Sequence, residues 1–133
     1  MKFFLDTNIC IYALNGQYPG VQNHLLSKKP SDIAIPAMVQ AELYFGALKS
    51  SSKNKVLETL KRFLAPFEKI AFDPACSIIY AEIRADLEKK GTVIGPNDLI
   101  IAATTLAHNA ILVTANTREF SRIKKLALED WTK

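Results

Sequence analysis

Short apolar runs alternate with helical segments along nearly the whole chain. The runs are three to six residues long and rich in Phe, Ile, Leu and Val, which is typical of buried strands. Strands that alternate with helices favour a parallel sheet packed against helices. The alternation therefore predicts an α/β sandwich with a mostly parallel central sheet. The expected strands are Lys2–Leu5, Asp32–Ile35, Phe67–Phe72, Ala110–Thr114 and Leu126–Leu128.

The segments between these strands carry signals for helices. Apolar residues repeat along one face of Lys53–Leu64, as in an amphipathic helix. Asp73 is a good N-cap for a long helix, and Gly91 marks its end. The expected helical segments are Thr7–Leu14, Gly20–Ser27, Pro36–Leu48, Lys53–Leu64, residues 74–90, Asp98–His108 and the turn Asn116–Phe120.

Length and composition limit the class of protein. A chain of 133 residues suits one domain spanning residues 1–133. An apolar content of 49% with a net charge of only +4 excludes a disordered chain. No apolar run approaches the roughly 18 residues of a membrane span, and Asp6 interrupts the apolar start of the chain before a signal peptide could form. We therefore expect a cytoplasmic protein with no membrane partner, in which Cys10 and Cys76 are reduced thiols.

Three acidic residues interrupt otherwise apolar segments. Asp6 follows the first expected strand, Glu42 lies in an almost wholly apolar helix, and Asp98 begins another such helix. Each has a structural explanation of its own, as an N-cap, an exposed side chain and a first-turn acid respectively. Ligand sites of open parallel sheets, however, lie at the carboxyl ends of the strands. We therefore expect Asp6, Glu42, Asp98 and Asn116, which follows a later strand, to converge at one edge of the sheet.

Clustered carboxylates point to a divalent cation. At neutral pH the acids repel one another, and a divalent cation removes that conflict. Oxygen ligands favour Mg²⁺ or Mn²⁺ over zinc. The chain has none of the sequence motifs of zinc sites, phosphate-binding glycine loops or serine-nucleophile elbows. The sequence therefore predicts a magnesium site, with Mn²⁺ as a substitute.

Basic residues are concentrated in two stretches of the chain. Together with the net charge of +4, they are compatible with a polyanionic partner such as nucleic acid. The alternative explanation is two solvated helix faces. The first stretch contains Lys49, Lys53, Lys55, Lys61 and Arg62, and the second contains Arg118, Arg122, Lys124 and Lys125.

The motifs around the acids resemble those of the PIN-domain ribonucleases, and in particular the VapC toxins of bacterial VapBC toxin–antitoxin pairs. The resemblance covers nearly the whole chain and keeps the order and spacing of the motifs. Four stretches, DTNICIY, GPND, VTANTREFSRI and LEDW, resemble one enteric-type VapC branch especially closely. The matching motifs are Asp6-Thr7-Asn8, Ala41-Glu42-Leu43 followed by Gly46, Pro96-Asn97-Asp98, and Val113-Thr114 followed by Asn116.

The resemblance implies one PIN domain over residues 1–133, with a three-layer α/β/α architecture and an Mg²⁺-dependent endoribonuclease activity in which Mn²⁺ is a possible substitute. Asp6 and Asp98 would bind the metal directly, and Glu42 would bind it directly or through water. Three further side chains would orient these acids by hydrogen bonds. They are Thr7, Asn8 and Thr114.

The position of Asn116 departs from the family pattern. Many PIN domains carry a fourth acid there, so the departure leaves open whether one metal or two are bound. Asn116 can still hydrogen-bond a water molecule or a neighbouring carboxylate at the catalytic site. Glu119 follows three residues later, and we expect it to be a surface acid in a turn.

The resemblance also implies a biological role. The chain would be the toxin of a type II toxin–antitoxin pair and would cleave RNA by a metal-activated water. The leading substrate is tRNA, with the anticodon loop of initiator tRNA as the leading cleavage site. The implied partners are a cognate VapB-type antitoxin, a second toxin copy in a homodimer within a larger toxin–antitoxin assembly, and operator DNA bound only through the antitoxin.

Two alternative functions remain open from the residues. The first is a catalytically degenerate PIN domain that binds RNA or an antitoxin, because Asn116 stands in place of an acid. The second is a phosphatase of the haloacid dehalogenase type, which also places an aspartate after its first strand. Such phosphatases carry an acid two residues further on, where this chain has Asn8.

Overall fold

The computed structural model describes residues 2–133, which are built around a five-stranded sheet. The strands lie in the order β3-β2-β1-β4-β5, and all four neighbouring pairs are parallel. The predicted α/β fold with a mostly parallel sheet is confirmed. The strands are β1 (Phe3–Leu5), β2 (Ile33–Pro36), β3 (Glu68–Ile70), β4 (Ile111–Val113) and β5 (Ala127–Glu129).

Helices fill the connections between these strands. Because parallel crossovers are right-handed, the β1–β2 and β2–β3 helices cover one face of the sheet and the β3–β4 helices cover the other. The layers are therefore α/β/α, as expected. No helix in the described part of the chain is long and apolar enough to cross a membrane. The helices are α1 (Thr7–Asn15), α2 (Pro19–Ser27), α3 (Ala37–Leu48), α4 (Lys53–Leu64), α5 (Pro74–Lys90), α6 (Pro96–Ala107) and α7 (Thr117–Phe120), with a 3₁₀ turn at Pro30–Asp32.

The strand order reverses beside β1, and this reversal positions the site. The chain runs outward from β1 through β2 to β3 and then returns to place β4 on the other side of β1. A crevice forms where the connections leave the sheet in opposite directions, outside the carboxyl ends of the strands. The backbone ties the two strand ends together, because the Asp6 N–H donates to the Val113 carbonyl at 3.0 Å.

Most predicted boundaries are within two residues of the observed ones. Helix α4 spans the predicted residues, and Asp73 caps α5 through a hydrogen bond from the Cys76 N–H at 3.0 Å. Helix α6 begins at Pro96, two residues before the predicted start, because a proline in the first turn has no N–H that the helix would leave unpaired. Strand β3 is shorter than the predicted Phe67–Phe72, because β2 offers it only three pairing positions.

Helix α3 is apolar nearly all round, and this pattern predicts a helix that is largely buried. That expectation is wrong for its outer face, where Phe45 is 61% exposed and Leu48 is 55% exposed. The inner face, with Val39, Leu43 and Ala47, is buried. A helix that packs on one side of a sheet buries only the stripe that faces the sheet and its neighbouring helices.

The carboxyl-terminal segment packs against α2 through a close backbone approach. Trp131 is fully buried, stacks on His24 with ring centroids 5.0 Å apart, and lies 5.6 Å from Phe3. Gly20 allows this contact, because a Cβ there would stand 2.5 Å from the Trp131 carbonyl oxygen. The chain end is therefore an integral part of the packed domain.

We expect Gly20→Ala to lower the free energy of unfolding by about 1–3 kcal/mol, because its Cβ forces two backbone segments apart. Gly46→Ala is the matched control, since Gly46 lies in a helix and a Cβ there meets nothing within 4 Å. This control should stabilise the protein by roughly 0.5–1 kcal/mol. Urea unfolding of both variants measures the contrast, and equal effects of the two substitutions would contradict the close approach at Gly20.

Candidate active site

Asp6 directly follows β1 and caps α1. Its Oδ1 accepts a hydrogen bond from the Ile9 N–H at 2.9 Å, so the N-cap explanation is correct. The residue is only 6% exposed, however, and it lies at the crevice between the ends of β1 and β4. Asp6 therefore serves the helix and faces the candidate site at once.

The surroundings of Asp6 disfavour its charged form. The pKa of Asp6 is raised from an ordinary value of 3.8 to about 6, mainly by burial and to a smaller extent by the nearby carboxylates of Asp98 and Glu42. Hydrogen bonds from the Thr114 side chain and the Ile9 N–H act in the opposite direction. Because the net effect is a raised pKa, these hydrogen bonds do not fully compensate for the burial of the Asp6 charge and the repulsion from the other acids.

Glu42 projects from α3 and is held from two other helices. The Thr7 hydroxyl donates to its Oε1, and Asn97 Nδ2 donates to its Oε2 at 3.2 Å. Both carboxylate oxygens are thus oriented by residues 35 and 55 positions away in the sequence. Thr7 was expected to orient an acid, and it does contact one. Asn97 belongs to a motif that resembles the family, but its contact with Glu42 was not predicted, because no local sequence signal indicates it.

Asp98 lies in the first turn of α6 and is half-buried. Partial burial raises the pKa of Asp98, and the neighbouring carboxylates of Glu42 and Glu119 raise it further. The helix-dipole explanation is consistent with this position. Asp98 nevertheless shares an electrostatic environment with Glu42 and Asp6, so the structure brings the three predicted acids together at one edge of the sheet.

A short hydrogen-bonded chain follows β4. The buried Thr114 hydroxyl accepts from the Asn116 N–H at 2.9 Å, and Asn116 Nδ2 donates to Glu119 Oε2 at 2.6 Å. Glu119 was expected to be a surface acid, but Asn116 holds it where its charge raises the pKa of Asp98. Its spacing of three residues from Asn116 on a helical turn was the available signal. Glu119 therefore adds a carboxylate near Asp98.

Not every predicted residue contacts the acids. Asn8 is exposed, and its side chain makes no hydrogen bond to an acid within residues 2–133, so its orienting role stays a prediction. The ion pairs in this range are also elsewhere, and none involves Asp6, Glu42, Asp98 or Glu119. These pairs are Lys2–Glu68, Arg84–Glu88 and Lys90–Asp86.

The donor chemistry of this edge suits a hard divalent cation. Its donors are carboxylate oxygens whose mutual repulsion and burial are not offset by a paired basic side chain. As the side chains stand in residues 2–133, no group of three or more His, Cys, Asp or Glu residues is close enough together to hold a metal ion. Both carboxylate oxygens of Glu42 are hydrogen-bonded, one to Thr7 and the other to Asn97.

We expect Asp6→Asn to raise the thermal stability of the protein in EDTA, because Asn keeps the N-cap and removes the buried charge. The expected gain near neutral pH is on the order of 2 kcal/mol. Asp73→Asn is the matched control, because Asp73 also caps a helix through the N–H three residues on, yet it is exposed and that hydrogen bond lowers its pKa. This control should bring no gain, and thermal melts in EDTA compare the two.

The pH dependence of stability tests whether the gain from Asp6→Asn comes from the charge of Asp6. A carboxyl group whose pKa is higher in the folded protein binds its proton more tightly there, so stability falls as pH rises between 3.8 and about 6. Asp98 contributes in the same direction. The advantage of Asp6→Asn over the wild type should therefore shrink between about pH 7 and about pH 5. An advantage that does not change with pH would contradict a charge effect.

Comparison with known proteins places this geometry in a family. Residues 3–126 match the model of the PIN domain. The chain is 46% identical to Ribonuclease VapC2 of Rickettsia felis over 134 residues, which covers all of both chains. It is 34% identical to the tRNA(fMet)-specific endonuclease VapC of Salmonella typhimurium, which covers 98% of each chain.

A solved structure shows the same fold. The chain matches a chain of the Rickettsia felis VapBC2 complex, crystallised with a DNA fragment from the promoter, with a TM-score of 0.92. The two chains are 44% identical, and the match covers 98% of this chain and 99% of that one. The resemblance suggested by the sequence motifs is confirmed. This chain belongs to the PIN-domain family and, within it, to the VapC proteins.

Proposed function

We propose that this chain is a divalent-metal-dependent endoribonuclease and the toxin of a VapBC-type toxin–antitoxin pair, working as one domain over residues 1–133. The observation that carries the proposal is the convergence of Asp6, Glu42 and Asp98 at one sheet edge. Within the described residues, no basic side chain pairs with any of them. The full-length likeness to proteins named ribonuclease or endonuclease VapC supports the same function.

The metal site of the proposal consists of the three acids. Asp6 and Asp98 would hold Mg²⁺ directly, and Glu42 would hold it directly or through water; Mn²⁺ suits the same oxygen donors. When bound, such an ion stabilises charge on the phosphate oxygens and activates a water nucleophile. Glu119, held by Asn116 beside Asp98, extends the acidic edge and provides a place for a second cation.

The other side chains position the acids. Thr7 and Asn97 fix both oxygens of Glu42, which places this carboxylate to accept a proton from the attacking water. Thr114 connects Asp6 to Asn116. Hydrolysis by water, without attack by the RNA 2′-hydroxyl, leaves a 5′-phosphate and a 3′-hydroxyl at the cut.

We propose tRNA as the substrate, with the anticodon loop of initiator tRNA as the leading cleavage site. The Salmonella typhimurium relative is named a tRNA(fMet)-specific endonuclease, and sequence-specific RNA recognition usually targets single-stranded loops. The exposed residues Arg118, Lys124 and Lys125 follow the end of β4 and could contact the RNA backbone. We therefore also propose that the activity is cytoplasmic.

The first test is cleavage of total tRNA with Mg²⁺, with EDTA, and by Asp98→Asn. We expect a discrete fragment that disappears in EDTA and whose rate of formation falls on the order of 100-fold or more in the variant. The reason is that the substitution removes a cation ligand while keeping the shape of the side chain. Sequencing of the fragment ends identifies the cleavage site and its chemistry.

Asp86→Asn is the control for charge, because Asp86 is exposed on α5 and pairs only with Lys90. Its cleavage rate should equal that of the wild type. A fragment that survives both EDTA and Asp98→Asn would overturn the proposed site. A folded, metal-bound protein that cleaves no RNA would instead support the degenerate RNA- or antitoxin-binding PIN domain. Membership of the PIN family already argues against a haloacid dehalogenase-type phosphatase.

An apolar groove beside Glu42 is the proposed seat of the antitoxin. It has a volume of about 390 Å³ and lies between α1, α3 and α4. Its apolar residues are partly accessible, with Ile11 36% and Val56 37% exposed, and Glu42 forms part of its wall. A segment of a VapB-type antitoxin seated there would cover the acids. The Rickettsia felis structure is a VapBC2 complex with promoter DNA, and we propose a comparable homodimer-based assembly here, with operator DNA bound only through the antitoxin.

We expect Val56→Glu to weaken antitoxin binding by about tenfold or more, because it places a charge in an apolar contact. RNA cleavage by the free toxin should not change, since Val56 is neither one of the acids of the metal site nor one of the basic residues proposed to contact RNA. Leu26→Glu is the control, because Leu26 is 86% exposed on α2 and lies outside the groove. Calorimetry of antitoxin binding measures both variants, and equal weakening by both would rule out this groove.

A further inference from the structure

Arg122 joins two segments that carry different residues of the site. Its Nη1 donates to the Val93 carbonyl at 2.8 Å, across 29 positions of sequence. Arg122 lies one helical turn after Glu119, and its backbone N–H donates to the Glu119 carbonyl at 3.1 Å. Val93 lies five residues before Asp98, in the loop that leads into α6. The contact therefore links the Glu119 side of the site to the Asp98 side.

The loop before α6 depends on few anchors. Val93 is 57% exposed, so its side chain packs little. Its neighbour Ile94 is buried in the core, and the Gly95 carbonyl accepts the first helical hydrogen bond of α6 from the Leu99 N–H at 3.0 Å. The guanidinium of Arg122 is thus a principal polar contact that holds this loop to the rest of the molecule. The contact lies close to the start of α6, which carries Asp98 in its first turn.

Among the described residues, the charge of Arg122 is not paired with an acid of the site. Within residues 2–133, Arg122 forms no ion pair with Glu119 or Asp98, although it lies close to Glu119 in the chain. Its guanidinium is turned to a neutral carbonyl instead. The cluster therefore keeps the negative charge that a divalent cation requires, while the arginine supplies structure.

We propose that Arg122 is a positioning residue for the acidic site. Through the Val93 carbonyl it sets the separation between Asp98 and the Asn116–Glu119 pair, and it touches neither the metal nor the scissile phosphate. The inference rests on the proposed function to the extent that the site binds a divalent cation.

The test measures Mn²⁺ binding to the full chain without RNA. The electron paramagnetic resonance signal of free Mn²⁺ reports how much of the ion remains unbound. Loss of a positive charge near an acidic cluster would by itself tighten cation binding. Loss of a positioning contact would weaken it. We expect Arg122→Ala to raise the Mn²⁺ dissociation constant roughly tenfold, at the lower end of the effects of groups that orient metal ligands. The opposite signs separate the two roles.

Arg118→Ala is the matched control. Arg118 is exposed in α7, four residues before Arg122, and the substitution removes the same charge. Its side chain makes no hydrogen bond among the described residues. Mn²⁺ binding by this variant should equal or slightly exceed that of the wild type. In RNA cleavage, Arg122→Ala should lower kcat, while Arg118→Ala should act only on KM.

Conservative variants keep the test decisive if Arg122→Ala does not fold. Arg122→Lys and Arg122→Gln can still donate to a carbonyl, and Gln does so without charge. We expect both to keep Mn²⁺ binding closer to the wild type than Arg122→Ala does. If circular dichroism shows that Arg122→Ala is unfolded, the two conservative variants decide the question. Tenfold weaker Mn²⁺ binding by Arg122→Gln together with wild-type binding by Arg122→Lys would overturn the inference, because the charge rather than the hydrogen bond would then matter.

Two further outcomes separate this inference from the proposed function. A wild-type protein that binds no Mn²⁺ would overturn the proposed metal site and this inference with it. Wild-type binding that is unchanged or tightened in Arg122→Ala would overturn this inference alone. Equal weakening in Arg122→Ala and Arg118→Ala would also overturn it, because the effect would then not depend on the Val93 contact.

Discussion

The parallel pairing of β1 with β2 on one side and with β4 on the other is the constraint on which the site depends. Because both neighbours run in the same direction as β1, the carboxyl ends of all three strands meet at one edge of the sheet. The connections leave that edge toward opposite faces, so the crevice between them stays open. Asp6 and Thr114 enter it directly from the ends of β1 and β4, and α3 and α6 bring Glu42 and Asp98 to it.

The same edge is electrostatically unbalanced, and this imbalance has a physical origin in the fold. Asp6 caps α1, and the hydrogen bond from the Ile9 N–H holds its carboxylate at the buried start of that helix. Burial and the neighbouring acids then raise its pKa, and burial with Glu42 and Glu119 does the same for Asp98. A cation in the crevice would offset both effects at once. In the protein without a cation, the raised pKa values mean that these carboxylates lower the stability near neutral pH.

Hydrogen bonds between distant segments hold the acids in place. Thr7 and Asn97 reach Glu42 from α1 and α6, while Asn116 holds Glu119 beside Asp98. The contact of Arg122 with the Val93 carbonyl joins the segment after Glu119 to the loop before Asp98. Such links make the arrangement of the acids a property of how the helices pack, and the helices in turn are oriented by the short, buried sheet.

The sequence by itself determined what depends on local signals. Alternating apolar runs predicted the parallel sheet, a capping aspartate and a terminal glycine bounded α5, and acids within apolar segments identified Asp6, Glu42 and Asp98. Packing decided the rest, because it depends on which surfaces meet. The turn of α7 brought Glu119 toward Asp98, α6 brought Asn97 to Glu42, and one-sided packing left Phe45 exposed. These outcomes need contacts between segments far apart in the chain, which no local pattern encodes.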